Sequence, residues 1–343
     1  MPGPGHPHAR LAGTTSRFVT ALAALGPGPY TVDGFGPLRA RPMADLHAAL
    51  STLGATVVHT ERAGHLPVVL SRSGLTGGTI RLPGDVTSQY VTALMLIAPY
   101  LPGGLRIELT SPLVSRPYLE ITSAVMAAFG HGDVQVGDEV ITVGPGAYRA
   151  CRYVIEPDAS SASYPFAVAA VCGGQVTVVG LGDEPLQGDA AFVDVLEAMG
   201  CEVERTAEAT TVRRRTPLRG VEVDMRDISD TVPTLAAIAP FADSPTTITG
   251  IGFIRHKESD RIGDVLRELA RCGIAGAELP DGMRIDPGDI RPASLATHHD
   301  HRLAMAFAVI GLARPGIAIE DPAVVSKSYP GFWTMIESLR RPQ

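Results

Sequence analysis

The string "HKESDR", His256 to Arg261, places Lys257, Glu258 and Arg261 close together, and "HHDHR", His298 to Arg302, adds His301 and Arg302. Cations gathered at this density can hold an anionic group. On a helix beginning near Glu258, residues three and four apart share a face, so Lys257, Glu258 and Arg261 would look the same way close to the helix start. The same spacing describes a solvated ion-pair helix capped by Ser259 or Asp260. His301 and Arg302 stand at the mouth of the apolar run "LAMAFAVIG", as anion binders or as simple capping residues. His298, His299 and His301 have no carboxylate or Cys cluster at ligand spacing beside them, so the expectation is no metal and no cofactor. Asp230 in "MRDISDTVPTL" begins another apolar helix, where capping accounts for it as readily as a functional role does. Lys327 lies in "VVSKSYPGF", a loop before the last helical pattern, and Arg39, Arg41 and Arg116 stand near helix starts at which Arg-Pro recurs. There is no G-x-S-x-G elbow, no G-x-x-x-x-G-K-[ST] loop and no G-x-G-x-x-G fingerprint. Acyl transfer, nucleotide hydrolysis and dinucleotide chemistry therefore have little support.

A repeat must position these side chains. Five segments share one pattern: "AGTTSRFVTALAALGPGPYTVDG" from Ala12, "GDVTSQYVTALMLIAPYLPGGLRIEL" from Gly84, "PDASSASYPFAVAAVCGGQVTVVG" from Pro157, "RDISDTVPTLAAIAPFADSPTTITG" from Arg226 and "HHDHRLAMAFAVIGLARPGIAIED" from His298. Each opens on small or polar residues, continues in an Ala-rich apolar run, turns at Gly or Pro and ends in a β-branched stretch. Amphipathic helix patterns such as "RPMADLHAALSTLGATVV" lie between them, so each unit reads as helix, strand, helix, strand, with the first helix apolar on most faces and buried. If related units pack around common axes, their helix starts, with unpaired N–H groups and the positive dipole end, converge as an anion site.

Composition bounds the rest. With 343 residues, 45% of them hydrophobic and 19% charged, the chain is long enough for two domains with substantial cores. A formal charge of -7 gives no overall attraction to nucleic acid or anionic lipid, so neither is expected as a partner. Four scattered cysteines, no signal-like start and no apolar run of membrane length point to a reduced, cytoplasmic setting.

The strings "AGTTSR", "RARP", "GDVTSQ", "LVSRPY", "DASSASY", "QGD", "HKESDR", "DHRLAMA" and "SKSYPGF" occur in the order expected of the 5-enolpyruvylshikimate 3-phosphate synthase family, which the chain resembles from about Ala12 to its end. The resemblance implies an α/β fold of two domains, built from repeated β-α-β-α-β-β units around buried helices, with the active site in the cleft between domains. It implies a tail over residues 1–11, a first domain over 12–155 with two of the usual three units, and a second over 156–343. It also implies transfer of enolpyruvyl from phosphoenolpyruvate to a hydroxyl of a phosphorylated cyclic acceptor, with release of phosphate. Arg41, Arg261, Arg302 and Lys327, with Gln89 nearby, would take the phosphoenolpyruvate. Thr87, Ser88, Ser115 and Tyr118 would hold the acceptor, shikimate 3-phosphate or an analogue, and Gly13 and Thr14 would also line the substrate. Asp230 and Glu258 would do acid and base work, with Lys257, His301 and Lys327 close to the chemistry. The family's first unit, with its Lys-Ser pair, has no counterpart in "MPGPGHPHAR", Leu11 replaces the usual Asn, and Ala40 the usual Glu. An uncovered flank there would suit a partner protein or a second copy. Two other readings fit these departures: elimination, isomerisation or cyclisation on a related anionic ring, and ligand binding without catalysis.

Overall fold

Each Ala-rich run becomes a helix buried over much of its surface, because small side chains let neighbouring helices approach closely. The computed structural model describes residues 4–72 and 74–339. The chain divides into two compact units, the first running to Val154 and the second starting at Ile155.

The first unit contains α1 (Gly13–Ala24), β1 (Tyr30–Val32), α2 (Gly36–Arg39), α3 (Ala44–Thr52), β2 (Ala55–His59), β3 (Val68–Arg72), β4 (Gly78–Leu82), α4 (Ser88–Ile97), β5 (Leu105–Leu109), α5 (Pro117–Ala128), β6 (Val134–Val136) and β7 (Val140–Val143). Strand β4 runs parallel to β5, and β7 pairs antiparallel with both β5 and β6, giving the order β4-β5-β7-β6. The repeat before it gives β1-β3-β2, all antiparallel. The segment before α1 joins this sheet: Gly5 bridges Tyr30 and His8 bridges Asp33, both parallel, as β4 lies beside β5. Ala9 is buried in the same core. Helices α1 and α4 pack against each other, with Ala21, Ala24, Val91, Ala93 and Leu94 wholly buried.

The second unit contains α6 (Ala159–Cys172), β8 (Gly174–Val179), α7 (Phe192–Ala198), β9 (Cys201–Arg205), β10 (Ala209–Arg214), β11 (Glu222–Asp224), α8 (Val232–Ile238), β12 (Thr246–Thr249), α9 (Gly263–Arg271), β13 (Gly276–Leu279), β14 (Gly282–Ile285), β15 (Ala293–Leu295), α10 (His301–Ala313), β16 (Ile317–Ile319) and α11 (Phe332–Ser338). Its sheets run β8-β10-β9, β11-β12-β14-β13 and β15-β16. Helices α6, α8 and α10 pack pairwise to form the centre, where Ala167, Leu235, Ala236, Ala304 and Phe307 are wholly buried. Among the described residues, no helix is long and apolar enough to cross a membrane.

The helix-strand-helix-strand unit read from residue patterns is incomplete. Each of the four full repeats adds a return strand, β3, β7, β10 or β14, that folds back antiparallel and takes the middle of its sheet.

Candidate active site

The helix expected from about Glu258 instead starts at Gly263. Asp260 sets that start. Its Oδ1 accepts the N–H groups of Ile262 and Gly263 at 3.1 Å each, and its own N–H donates to Asp264 Oδ2 at 3.1 Å. The reciprocal bonds satisfy donors that the first turn leaves open. Lys257 to Arg261 therefore form an irregular strap after the 3-10 turn Gly252–His256. Asp260 is a cap, as one sequence reading had it, but the neighbouring Arg261 is not solvated: its side chain is 1% exposed.

Arg261 sits at the centre of three carboxylates. Its Nε donates to Asp300 Oδ2 at 2.7 Å, its Nη1 to Asp230 Oδ1 at 2.9 Å and its Nη2 to Glu258 Oε2 at 3.0 Å. The other oxygens of the last two face further cations. Arg302 Nη2 donates to Asp230 Oδ2 at 2.7 Å, and Lys327 Nζ donates to Glu258 Oε1 at 2.7 Å. Lys257 Nζ lies 3.7 Å from Asp230 Oδ1. Each residue comes from a helix entrance or a turn. Asp230 lies in the 3-10 turn leading into α8, Arg302 in the first turn of α10, and Lys327 ends the 3-10 turn Pro322–Lys327. The structure thus gathers Asp230, Lys257, Glu258, Arg261, Arg302 and Lys327, and places His301 beside Asp300, its Nδ1 3.6 Å from that carboxylate.

The charges in this cluster govern one another. Burial raises the Asp230 carboxyl, but Arg302, Lys257 and Arg261 outweigh it and hold Asp230 well below the usual carboxylate range. Burial acts on Asp300 in the same sense, and Arg261 reverses it. Lys257 is lowered, because burial outweighs the attraction of Asp230. His301 is lowered to about 4, mainly by burial, with Arg302, Lys327 and Arg261 adding to it. It is neutral at pH 7 and can donate or accept a hydrogen bond. Four cations then face three carboxylates, leaving one net positive charge for an anionic ligand.

The first unit carries its own polar cluster. Thr87 is the N-cap of α4, its hydroxyl accepting the N–H of Gln89, and Ser88 is buried in the first turn. The loops entering α4 and α5 are laced together, since Val114 N–H donates to Gly84 O at 3.0 Å and Gly84 N–H to Ser111 Oγ at 2.9 Å. Ser115, which ends the second loop, is 4% exposed with φ 56°. A buried serine in the left-handed region is an outlier that packing must enforce. Its carbonyl accepts the N–H of Tyr118. At the start of α1, a Cβ on Gly13 would meet the guanidinium ends of Arg41 and Arg17, so a larger residue there would make those side chains shift. Thr14 is exposed beside it. Arg39 and Arg116 are held by carboxylates, Asp33 and Glu61 for the former, Glu120 and Asp138 for the latter.

Two residues escape the sequence reading. Arg17, 3% exposed, donates from Nη1 to Gln89 Oε1 at 2.7 Å and lies over the Tyr90 ring. One turn after Gly13 in "AGTTSR", it carried a spacing signal that could have found it. Asp300 lies inside "DHR", but nothing in spacing separates a buried counter-charge from a cap.

The sequence model of one family, EPSP synthase (3-phosphoshikimate 1-carboxyvinyltransferase), matches residues 6–336. The chain belongs to that family. Among its relatives, one from Nostoc punctiforme, named 3-phosphoshikimate 1-carboxyvinyltransferase, is 47% identical over 94% of this chain and 76% of its own length. One of the same name from Methanoculleus marisnigri is 45% identical over the same shares. In three dimensions the fold is similar to EPSP synthase from Acinetobacter baumannii, with TM-score 0.78 at 24% identity over 96% of this chain and 78% of that one. It is also similar to the enolpyruvyl transferase NikO from Streptomyces tendae, with TM-score 0.71 at 22% identity over 88% and 72%. The family fold agrees with the two-domain α/β architecture of repeated units.

Proposed function

We propose that this EPSP synthase family chain transfers enolpyruvyl from phosphoenolpyruvate to a hydroxyl of shikimate 3-phosphate, in the cytoplasm. The observation that carries the reading is the ring around Arg261, in which Asp230 and Glu258 each share their two oxygens among cations. The reaction needs that mixture. The acceptor oxygen bonds to C2 of phosphoenolpyruvate and loses its proton, while C3 gains one. Phosphate then leaves C2 as C3 gives a proton back, so the products are the enolpyruvyl ether and phosphate.

Asp230 and Glu258 take the acid and base roles, and Arg302 and Lys327 carry the phosphoenolpyruvate anion. A carboxylate held as low as Asp230 is a weak base. When ligand carboxylate and phosphate draw Arg302 and Lys327 away, Asp230 loses a cation that lowers it and becomes more basic, and Glu258 Oε1 is released from Lys327. Binding itself thereby arms the proton-transfer groups. Lys257 and the neutral His301 lie beside these carboxylates and serve as hydrogen-bond donors to the tetrahedral adduct. In the first unit, Thr87, Ser88, Ser115 and Tyr118 take the phosphorylated acceptor, with Gln89 and Arg41 oriented by Arg17 and by the space that Gly13 leaves.

The test incubates purified chain with both substrates and measures phosphate release and the ether product by mass spectrometry. Stoichiometric appearance of both supports the reading, and absence of both overturns it.

A further inference from the structure

Asp300 has no exposed surface, yet four donors converge on its carboxylate. Arg261 donates from Nε at 2.7 Å and from Nη2 at 3.3 Å, Ser259 from Oγ at 3.1 Å, and Arg302 from its main-chain N–H at 2.9 Å. Asp300's own N–H donates to Thr297 O at 2.8 Å. The carboxylate therefore ties the strap before α9 to the mouth of α10.

A guanidinium is a rigid planar fork, so fixing one edge fixes the direction of the others. Asp300 takes the Nε–Nη2 edge of Arg261. What remains of the fork points at Asp230 and Glu258. Building on the function proposed above, we propose that Asp300 is a positioning residue, which holds Asp230 and Glu258 in their reacting geometry through Arg261. Without its charge, the buried guanidinium has two counter-charges instead of three and turns towards them. Asp230 and Glu258 follow it, and the oxygens now facing Arg302 and Lys327 swing away.

Asp300→Asn separates this role from capping, because an amide oxygen still accepts the Arg302 N–H while the NH2 group faces Arg261 without charge. The expected result is a cooperative thermal melt, a fall in kcat of at least about 100-fold, comparable to loss of a preorganised group, and a KM for shikimate 3-phosphate within about threefold of the parent. By nitrogen NMR, the Arg261 Nε–H exchanges slowly in the parent chain and rapidly in D300N. A D300N variant with parental kcat, or with a slowly exchanging Arg261 Nε–H, would overturn the inference. If D300N does not melt cooperatively, Ser259→Ala decides, since it removes one donor and no charge. A several-fold fall in kcat at unchanged melting temperature upholds the inference, and parental kcat overturns it. A parent chain that releases no phosphate defeats the proposed function, whereas the exchange measurement still decides for or against Asp300.

Discussion

Asp230 and Glu258 are the residues on which the chemistry turns, and each is stored as the partner of cations. Asp230→Asn keeps the shape and removes the proton transfer, so kcat should fall by about 100- to 10,000-fold while the KM for shikimate 3-phosphate changes little. A rate within threefold of the parent would remove Asp230 from the mechanism. Ser115 gives a test of opposite sign. Its left-handed backbone costs on the order of 1 kcal/mol that glycine would not incur, partly offset by glycine's larger entropy loss on folding. Ser115→Gly should therefore hold or slightly raise the urea midpoint while raising the KM for the acceptor by about tenfold, the loss of one hydrogen bond. A lower midpoint with unchanged KM would make Ser115 purely structural. These side chains were legible because they stand in short strings that mix charge with small polar residues. Asp300 and Arg17 were less so, because their roles depend on distant partners, Arg261 and Gln89.

The elements hold these side chains by their ends, and α9 shows how. Glu268, 1% exposed, accepts the N–H of Ala296 at 3.0 Å, and its other oxygen lies 2.9 Å from His298 Nε2. The loop it grips contains His298 at φ 50° and His299 at φ 58°, then delivers Asp300 to cap α10. Two successive left-handed residues that are not glycine need such an anchor. Glu268→Ala should cost about 1–3 kcal/mol by stranding polar groups, read as a lower urea midpoint. An unchanged midpoint would show that the loop holds its shape without Glu268. The buried helices were readable because an Ala-rich run such as "LAMAFAVIG" has no polar face to misplace. The return strands were harder. In "ATTVRR" and "GMRI" charged residues break the alternation, and both strands pair with neighbours distant in sequence as well as with their own hairpin. The start of α9 is hidden in the sequence because Glu258 and Arg261 have helical spacing, yet Asp260 between them bonds to the N–H groups of Ile262 and Gly263 and fixes the first turn there.

At the scale of the whole chain, the repeat made two cores legible, and each core carries one buried histidine that resists protonation. His47 in α3 is lowered to about 4 by burial, with His59 and His65 adding to it, and His301 is lowered to about 4 mainly by burial. In the unfolded chain both ionise near 6.5. Between these values the unfolded chain binds more protons, so stability is fully present above pH 6.5 and is lost as pH falls towards 4. At about 1.4 kcal/mol per pKa unit, each histidine contributes roughly 3 to 4 kcal/mol to that loss. Asp230 and Asp300, held below the ordinary carboxylate value of 3.8, add to the loss only under more acid conditions. Trp333, the one tryptophan, lies in α11 of the second unit, so its fluorescence follows the core that contains His301, while circular dichroism follows both. Urea midpoints by either probe should fall between pH 6.5 and 4. His47→Gln should flatten only the part of the dichroism transition that fluorescence does not share. A fluorescence midpoint independent of pH over that window would mean that His301 is not held neutral by the fold.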